Sequence, residues 1–192
     1  MSTLLIEGGH KLSGRIEVEG NKNSALPLLA ACLLTDEECV LSNVPRIRDV
    51  DVLLDLMAGL GATVERTGAG TLRILCRQLT GDRPDPILVG KLRGSVLLLG
   101  PLLARRGSAR LAQPGGDFPA RRTISTHLQA LAAMGAVQLD EPGHALEAPN
   151  GLSGASFYLD EASVTGTETA LLAAAAAASS AVSVPVTDAS SR

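Results

Sequence analysis

Residues 39–67 read "CVLSNVPRIRDVDVLLDLMAGLGATVERT", and residues 108–141 read "SARLAQPGGDFPARRTISTHLQALAAMGAVQLDE". Each begins on an alternating strand pattern, Cys39–Val44 or Ser108–Gln113, and meets a proline, Pro45 or Pro114. Each continues into an amphipathic helix that closes on Gly-Ala, Gly61-Ala62 or Gly135-Ala136, where a left-handed turn costs little. A further strand follows each, "TVERT" or "VQLDE". Ahead of each stands an apolar helix, "LPLLAACLL" from Leu26 or "LLLGPLLAR" from Leu97, and "TALLAAAAAA" from Thr169 opens a third in the same way. The unit therefore reads as strand, helix, strand, helix and a pair of strands over about 70 residues, and such alternation predicts an α/β domain of repeated units.

Extended along the chain, the repeat predicts units at about 21–90 and 91–160 and a partial unit at 161–178. Together these form one domain over 21–178, preceded by a segment at 1–20 and followed by a tail at 179–192. The third unit opens on a capping-box pattern, Thr165-x-x-Glu168. By the spacing of the first two units its second helix would fall beyond residue 192, so the chain reads as cut off within a unit. The tail "SSAVSVPVTDASSR" is polar and Ser-rich and is expected to fray.

The two full copies differ in one place. Pro45 and Pro114 lie 69 residues apart but Gly61 and Gly135 lie 74 apart, so the second unit gains its extra residues within "PGGDFPARRT". Loops carry sites more often than packed elements do. Asp117 sits at the tip of that loop, with Arg121 and Arg122 behind it. It reads either as a turn residue or as a general acid or base on a mobile lid.

Of the 192 residues 45% are hydrophobic and none is tryptophan, so the core must be built from Leu, Ala, Val and Ile. A net charge of −3 excludes a generally nucleic-acid-binding surface but leaves room for a local anion site. The arginines cluster as Arg46 and Arg48, Arg105 and Arg106, and Arg121 and Arg122. The planar guanidinium suits phosphate and carboxylate, although Arg105–Arg106 reads as solvated surface. Cys32, Cys39 and Cys76 have no metal-ligand spacing and read as buried free thiols. No signal-peptide pattern and no long apolar run is present, so neither a leader nor a membrane span is expected.

Lys22 and Asn23 stand where the first helix begins, with Asn21 or Asn23 available as its cap. A helix N-terminus favours anions, and the lysine adds a point charge. Arg93 occupies the corresponding place in the second unit, and Ser163, Val164 and Thr165 occupy it in the third. Three such termini facing a common centre would suit a ligand with several anionic groups. His127, one turn into the second unit's second helix, reads as either a packing residue or a functional one. Walker, dinucleotide-binding and zinc-ligand patterns are missing, so those chemistries are unsupported.

"GGHKLSGRIEVEGNKNSALPLLAACLL", "NVPRIRDVDVLLDLMAGLGA", "KLRGSVLLLGPLLARRG", "PGGDFPARR" and "YLDEASVTGTET" together resemble the UDP-N-acetylglucosamine 1-carboxyvinyltransferases, an enolpyruvyl transferase family. The resemblance runs from about residue 5 to about residue 175 with the blocks in order. It implies a fold of two domains, each of three βαβαββ units, with the site in the cleft between them and residues 1–20 belonging or linking to the other domain. The implied reaction moves the enolpyruvyl group of phosphoenolpyruvate to the 3-hydroxyl of UDP-N-acetylglucosamine, in the cytoplasm, for peptidoglycan precursor synthesis. No cofactor is implied, and neither a nucleic-acid nor a membrane partner.

By the same resemblance Lys22 and Asn23 would hold phosphoenolpyruvate, and Arg93 and Arg122 would contact the anionic substrates. Arg122, Thr123, Ile124, Ser125, Thr126 and His127, with Ser163, Val164 and Thr165, would line the uridine and diphosphate site. Asp117 falls where the family most often has a loop cysteine, the proton donor that fosfomycin alkylates, and a subset carries Asp there. Thr123, Ser125 and Thr126 depart from the family's usual pattern near the uracil pocket. Glu161 stands where some members have lysine, and Thr165-Gly166 replaces a common Gly-Ala.

Family members are about twice as long, their second half supplying a catalytic aspartate and more arginines. The chain alone is therefore expected to be inactive or nearly so, needing the missing half or self-association. Two other readings stand beside this one: a non-catalytic UDP-sugar-binding half or remnant, and a shikimate-3-phosphate enolpyruvyl transferase.

Overall fold

A computed structural model describes residues 3–115 and 123–177. The first unit runs α1 (Lys22–Ala31), β1 (Cys39–Leu41), α2 (Arg48–Gly59), β2 (Thr63–Arg66) and β3 (Leu72–Leu75). A short helix α3 (Pro86–Val89) leads into the second unit. There a 3-10 turn over Arg93–Leu98 runs on into α4 (Leu99–Arg106), followed by β4 (Ser108–Leu111), α5 (Ser125–Ala133), β5 (Val137–Gln138) and β6 (His144–Glu147). Of the third unit the described residues contain α6 (Val164–Ala174).

The repeat is present in three dimensions. Both sheets are antiparallel, with the last strand in the middle: β1-β3-β2 in the first and β4-β6-β5 in the second. Gly61 and Gly135, at φ +105° and +98°, end α2 and α5 in the left-handed region that a Cβ makes costly. The predicted α/β class and its repeated unit are therefore found, and the first helix of the third unit packs against those of the first and second. One continuous core joins the units: Leu29 and Leu33 from the first, Leu97, Leu98 and Leu102 from the second, and Leu172 from the third. Among the described residues no helix is long and apolar enough to cross a membrane.

The structure corrects several expectations. Among the described residues no strand is formed at the head of a unit. Residues 3–20 contain no strand or helix, and Leu4, Leu5, Ile6, Leu12, Ile16 and Val18 are exposed, Leu5 at 96%. An alternating pattern makes a strand only where a neighbour accepts its backbone hydrogen bonds. The N-cap of α6 is Ser163, whose Oγ accepts from the Gly166 amide at 3.0 Å, two residues before the predicted capping box. Cys32 and Cys76 are buried and free as expected, but Cys39 is only half-buried.

Arg105 is not solvated surface. Its Nη1 donates to the carbonyls of Leu33 (3.0 Å), Thr35 (3.1 Å) and Cys76 (2.7 Å), and its Nη2 donates to that of Arg77 (2.9 Å). One guanidinium of the second unit thus closes two chain ends of the first, while Arg106 beside it is exposed. A second knot lies on the other sheet. Arg110 pairs with Asp82, Glu141 and Glu147, Asp82 also accepts from Ser108 Oγ, and the inter-unit connector is held to β4.

Candidate functional site

Asn21 is the cap of α1, its Oδ1 accepting from the Asn23 amide at 2.7 Å. The approach is fixed from the other side, where the Gly20 amide donates to Asn43 Oδ1 at 3.1 Å. Lys22, the first helical residue, reaches across to Asp49 in the first turn of α2, Nζ to Oδ2 3.0 Å. Asp49 went unremarked in the sequence. The signal was there, because a carboxylate in a helix's first turn complements the dipole and two such residues, Asp49 and Asp51, open α2. The Asn23 side chain is exposed beside this pair.

The second and third units build one cluster. Arg93 Nη2 donates to the Thr123 carbonyl at 2.9 Å, tying the start of the 3-10 turn to the residues that lead into α5. Thr123 Oγ1 and Ser125 Oγ share a hydrogen bond of 2.7 Å on the exposed side. Ile124 turns inward, 4% exposed. Thr126 and His127 follow on the buried face of α5 and pack onto α6.

His127 is the centre of the cluster. It is 1% exposed, with Nδ1 2.8 Å from Thr169 Oγ1 and Nε2 3.2 Å from Thr165 Oγ1. Burial, and then the positive charge of Arg93, bring its pKa down to about 4, so the ring is neutral at pH 7. Threonines at i and i+4 on α6 project from one helix face and can grip both ring nitrogens at once. Thr169 was missed in the sequence, although its spacing of four from Thr165 was the available clue.

The α5–α6 contact explains the neighbouring glycine. A Cβ at Gly166 would lie 2.9 Å from Thr126 Oγ1 and 3.0 Å from Ser163 Oγ. Thr126, Ser163 and Gly166 therefore meet at one place, and the missing side chain of Gly166 makes room for the two hydroxyls. Nearby, the Asp160 amide donates to Gln129 Oε1 at 3.1 Å, holding the segment before α6 against α5.

The expected residues thus fall into two groups. Arg93, Thr123, Ser125, Thr126, His127, Ser163 and Thr165 gather around the α5–α6 contact, with Val164 exposed on its rim. Lys22 and Asn23 form a separate group around Asp49. The link between them is apolar, since Leu26, one turn into α1, lies against Gly94, next to Arg93. Asp117, Arg121 and Arg122 lie outside the described residues.

The chain is 49% identical over 173 residues to UDP-N-acetylglucosamine 1-carboxyvinyltransferase of Bradyrhizobium diazoefficiens, covering 90% of this chain and 40% of that protein. It is 47% identical over 174 residues to the enzyme of that name from Treponema pallidum, again covering 90% and 40%. The chain thus spans about two fifths of the length of these curated relatives. Among solved structures it is similar to the enolpyruvyl transferase NikO from Streptomyces tendae, with a TM-score of 0.72, 25% identity and coverage of 88% and 40%. It shares its fold with EPSP synthase from Acinetobacter baumannii, with a TM-score of 0.66, 18% identity and coverage of 85% and 38%. The model of the EPSP synthase (3-phosphoshikimate 1-carboxyvinyltransferase) family matches residues 6–190, and the chain belongs to that family.

Proposed function

We propose that this chain provides the nucleotide-sugar side of a UDP-N-acetylglucosamine 1-carboxyvinyltransferase, which moves the enolpyruvyl group of phosphoenolpyruvate to the sugar 3-hydroxyl and releases phosphate. The observation that carries the reading is the identity of 47–49% to enzymes of that name over 90% of the chain. The polar cluster supports it, because the residues expected to line the uridine and diphosphate site meet at the α5–α6 contact.

In this reading the Arg93 guanidinium and the Thr165 and Ser163 hydroxyls face the diphosphate, joined by Arg122. Thr123, Ile124, Ser125, Thr126 and His127 form the wall beside the nucleotide. Lys22 and Asn23 receive phosphoenolpyruvate at the start of α1, where amides and a cation favour an anion. Asp117 serves as the acid. It protonates the vinyl methylene as the sugar hydroxyl adds to the neighbouring carbon, and loss of a proton and of phosphate then restores the enol ether. A carboxylic acid donates that proton but is a poor soft nucleophile. Fosfomycin is therefore expected to leave Asp117 unlabelled by mass spectrometry, and an adduct at Asp117 would overturn its assigned role.

Because the chain spans two fifths of its relatives, turnover is assigned to a complete site, formed with a further segment or by self-association. In this reading the site lies in the cytoplasm. The test is calorimetric titration of the chain with UDP-N-acetylglucosamine, beside a phosphate-release assay with phosphoenolpyruvate. Saturable binding is expected. Binding of shikimate 3-phosphate in its place would favour the other transferase, and a folded chain that binds neither would make it a non-catalytic remnant.

A further inference from the structure

Thr169 has no role in the reading above, yet it is fully buried and its hydroxyl meets a functional ring. It is 0% exposed, and among the described residues its Oγ1 bonds to His127 Nδ1 at 2.8 Å. A buried hydroxyl that only accepted there would leave its own hydrogen without an acceptor, at the cost of an unmet polar group. The lower-cost arrangement has Thr169 donate to Nδ1. A neutral imidazole carries one hydrogen, so Nε2 must then bear it and donate to Thr165 Oγ1 at 3.2 Å. Thr165 Oγ1 is thereby used as an acceptor. Its hydrogen is left free to donate, and Thr165 is only half-buried.

We propose that Thr169 is a positioning residue: it fixes His127 as the Nε2–H tautomer and so turns the Thr165 hydroxyl hydrogen toward the diphosphate oxygens of the nucleotide sugar. The buried ring stays uncharged near neutrality because burial and Arg93 disfavour its protonated form. His127 accordingly orients a donor and moves no proton. Only the identity of the ligand rests on the nucleotide-sugar reading; the direction of the hydrogen-bond chain rests on burial and geometry.

Two measurements on the full chain test it. Long-range 15N–1H NMR at pH 7, with the His127 signals assigned by loss in His127→Gln, is expected to show the Nε2–H tautomer. Thr169→Val should mix the tautomers and Thr169→Ser should restore the native pattern. An Nδ1–H tautomer in the native chain, or no change in Thr169→Val, overturns the assignment whatever the chain binds.

Titration with UDP-N-acetylglucosamine provides the second arm. Thr169→Val is expected to weaken binding about tenfold, one hydrogen bond's worth, and Thr169→Ser to bind like the native chain. The pair Thr165→Val and Thr169→Val together should bind no more weakly than Thr165→Val alone, because both act through one hydrogen. Fully additive losses would mean that Thr169 supports only packing, against the proposal. The expected tautomer in a chain that does not bind the nucleotide sugar would instead remove the nucleotide-sugar reading and, with it, the ligand assigned to Thr165.

Discussion

The first and second units use one scaffold for two electrostatic purposes. In the first, the helix α2 opens on Asp49 and Asp51, which pair with Lys22 and Arg66. In the second, the equivalent helix α5 has no acid in its first turn and presents hydroxyls and a buried imidazole. The difference lies in the first turn of the second helix of each unit. Carboxylates that complement the dipole pair with nearby cations in one copy, whereas the other copy opens the same helix on neutral hydroxyls. The extra residues of the second copy fall at the same place, immediately before α5.

The largest test breaks the joint between the two units. Arg105→Ala removes the donors for four backbone carbonyls, at Leu33, Thr35, Cys76 and Arg77. Losing a charged donor to several part-buried acceptors should cost about 3 kcal/mol in urea unfolding. Arg106→Ala, next to it on the exposed side, should stay within about 0.5 kcal/mol. Equal effects of the two substitutions would show that the bonds of Arg105 do not join the units in solution.

The next test turns on the buried imidazole that only the second unit has. In the unfolded chain a histidine takes up its proton near pH 6.5, whereas folded His127 resists protonation until about pH 4. Between those values the unfolded state binds more protons, so stability is full above pH 6.5 and falls as the pH falls. The whole loss from this group is about 3 kcal/mol, complete near pH 4. Arg93 is the charged group that adds to the burial effect. Denaturant unfolding across this range should therefore be steeper for the native chain than for His127→Gln. Parallel curves would place the ring in contact with water.

Much of this comparison is legible in the amino-acid sequence. Two copies of an apolar helix, a proline-marked turn and a Gly-Ala helix end are local patterns, and local chemistry suffices to form them. The head strands failed because a strand is a relation between segments: Ile16 and Val18 alternate yet stay exposed, and among the described residues no segment pairs with them. Arg105 failed for a similar reason. Its acceptors lie 28 to 72 residues away in sequence, and nothing local separates it from Arg106. The candidates Arg93, His127 and Thr165 stood out in the sequence as polar types near helix starts, but the grip of Thr169 on His127 exists only after α5 meets α6.

A smaller effect is expected from the helix contact that makes that grip possible. Gly166→Ala would put a methyl group 2.9 Å from Thr126 Oγ1 and 3.0 Å from the Ser163 cap. The helix gains slightly from alanine but must shift against α5, for a net loss of about 1–2 kcal/mol in urea unfolding. Pairing it with Thr126→Ala should recover most of that loss, since the hydroxyl is the nearest obstacle. Failure to recover would mean that the Ser163 cap, not Thr126, sets the fit.

The smallest stability change, and the sharpest test of the comparison, belongs to the pair Lys22–Asp49. Both side chains are substantially exposed, 49% and 37%, and a pair of that kind contributes about 0.5 kcal/mol. Asp49→Asn should therefore barely move the unfolding midpoint, yet it releases Lys22 from its carboxylate. If Lys22 receives phosphoenolpyruvate, Asp49 competes with the ligand, and removing that charge should tighten phosphoenolpyruvate binding a few-fold at low salt, less as salt rises. Lys22→Ala should abolish the binding at similar stability. Should Asp49→Asn weaken phosphoenolpyruvate binding instead, the carboxylate would be orienting the lysine and not neutralising it. Asp49 would then act on the ligand through Lys22 as a positioning residue of the first unit.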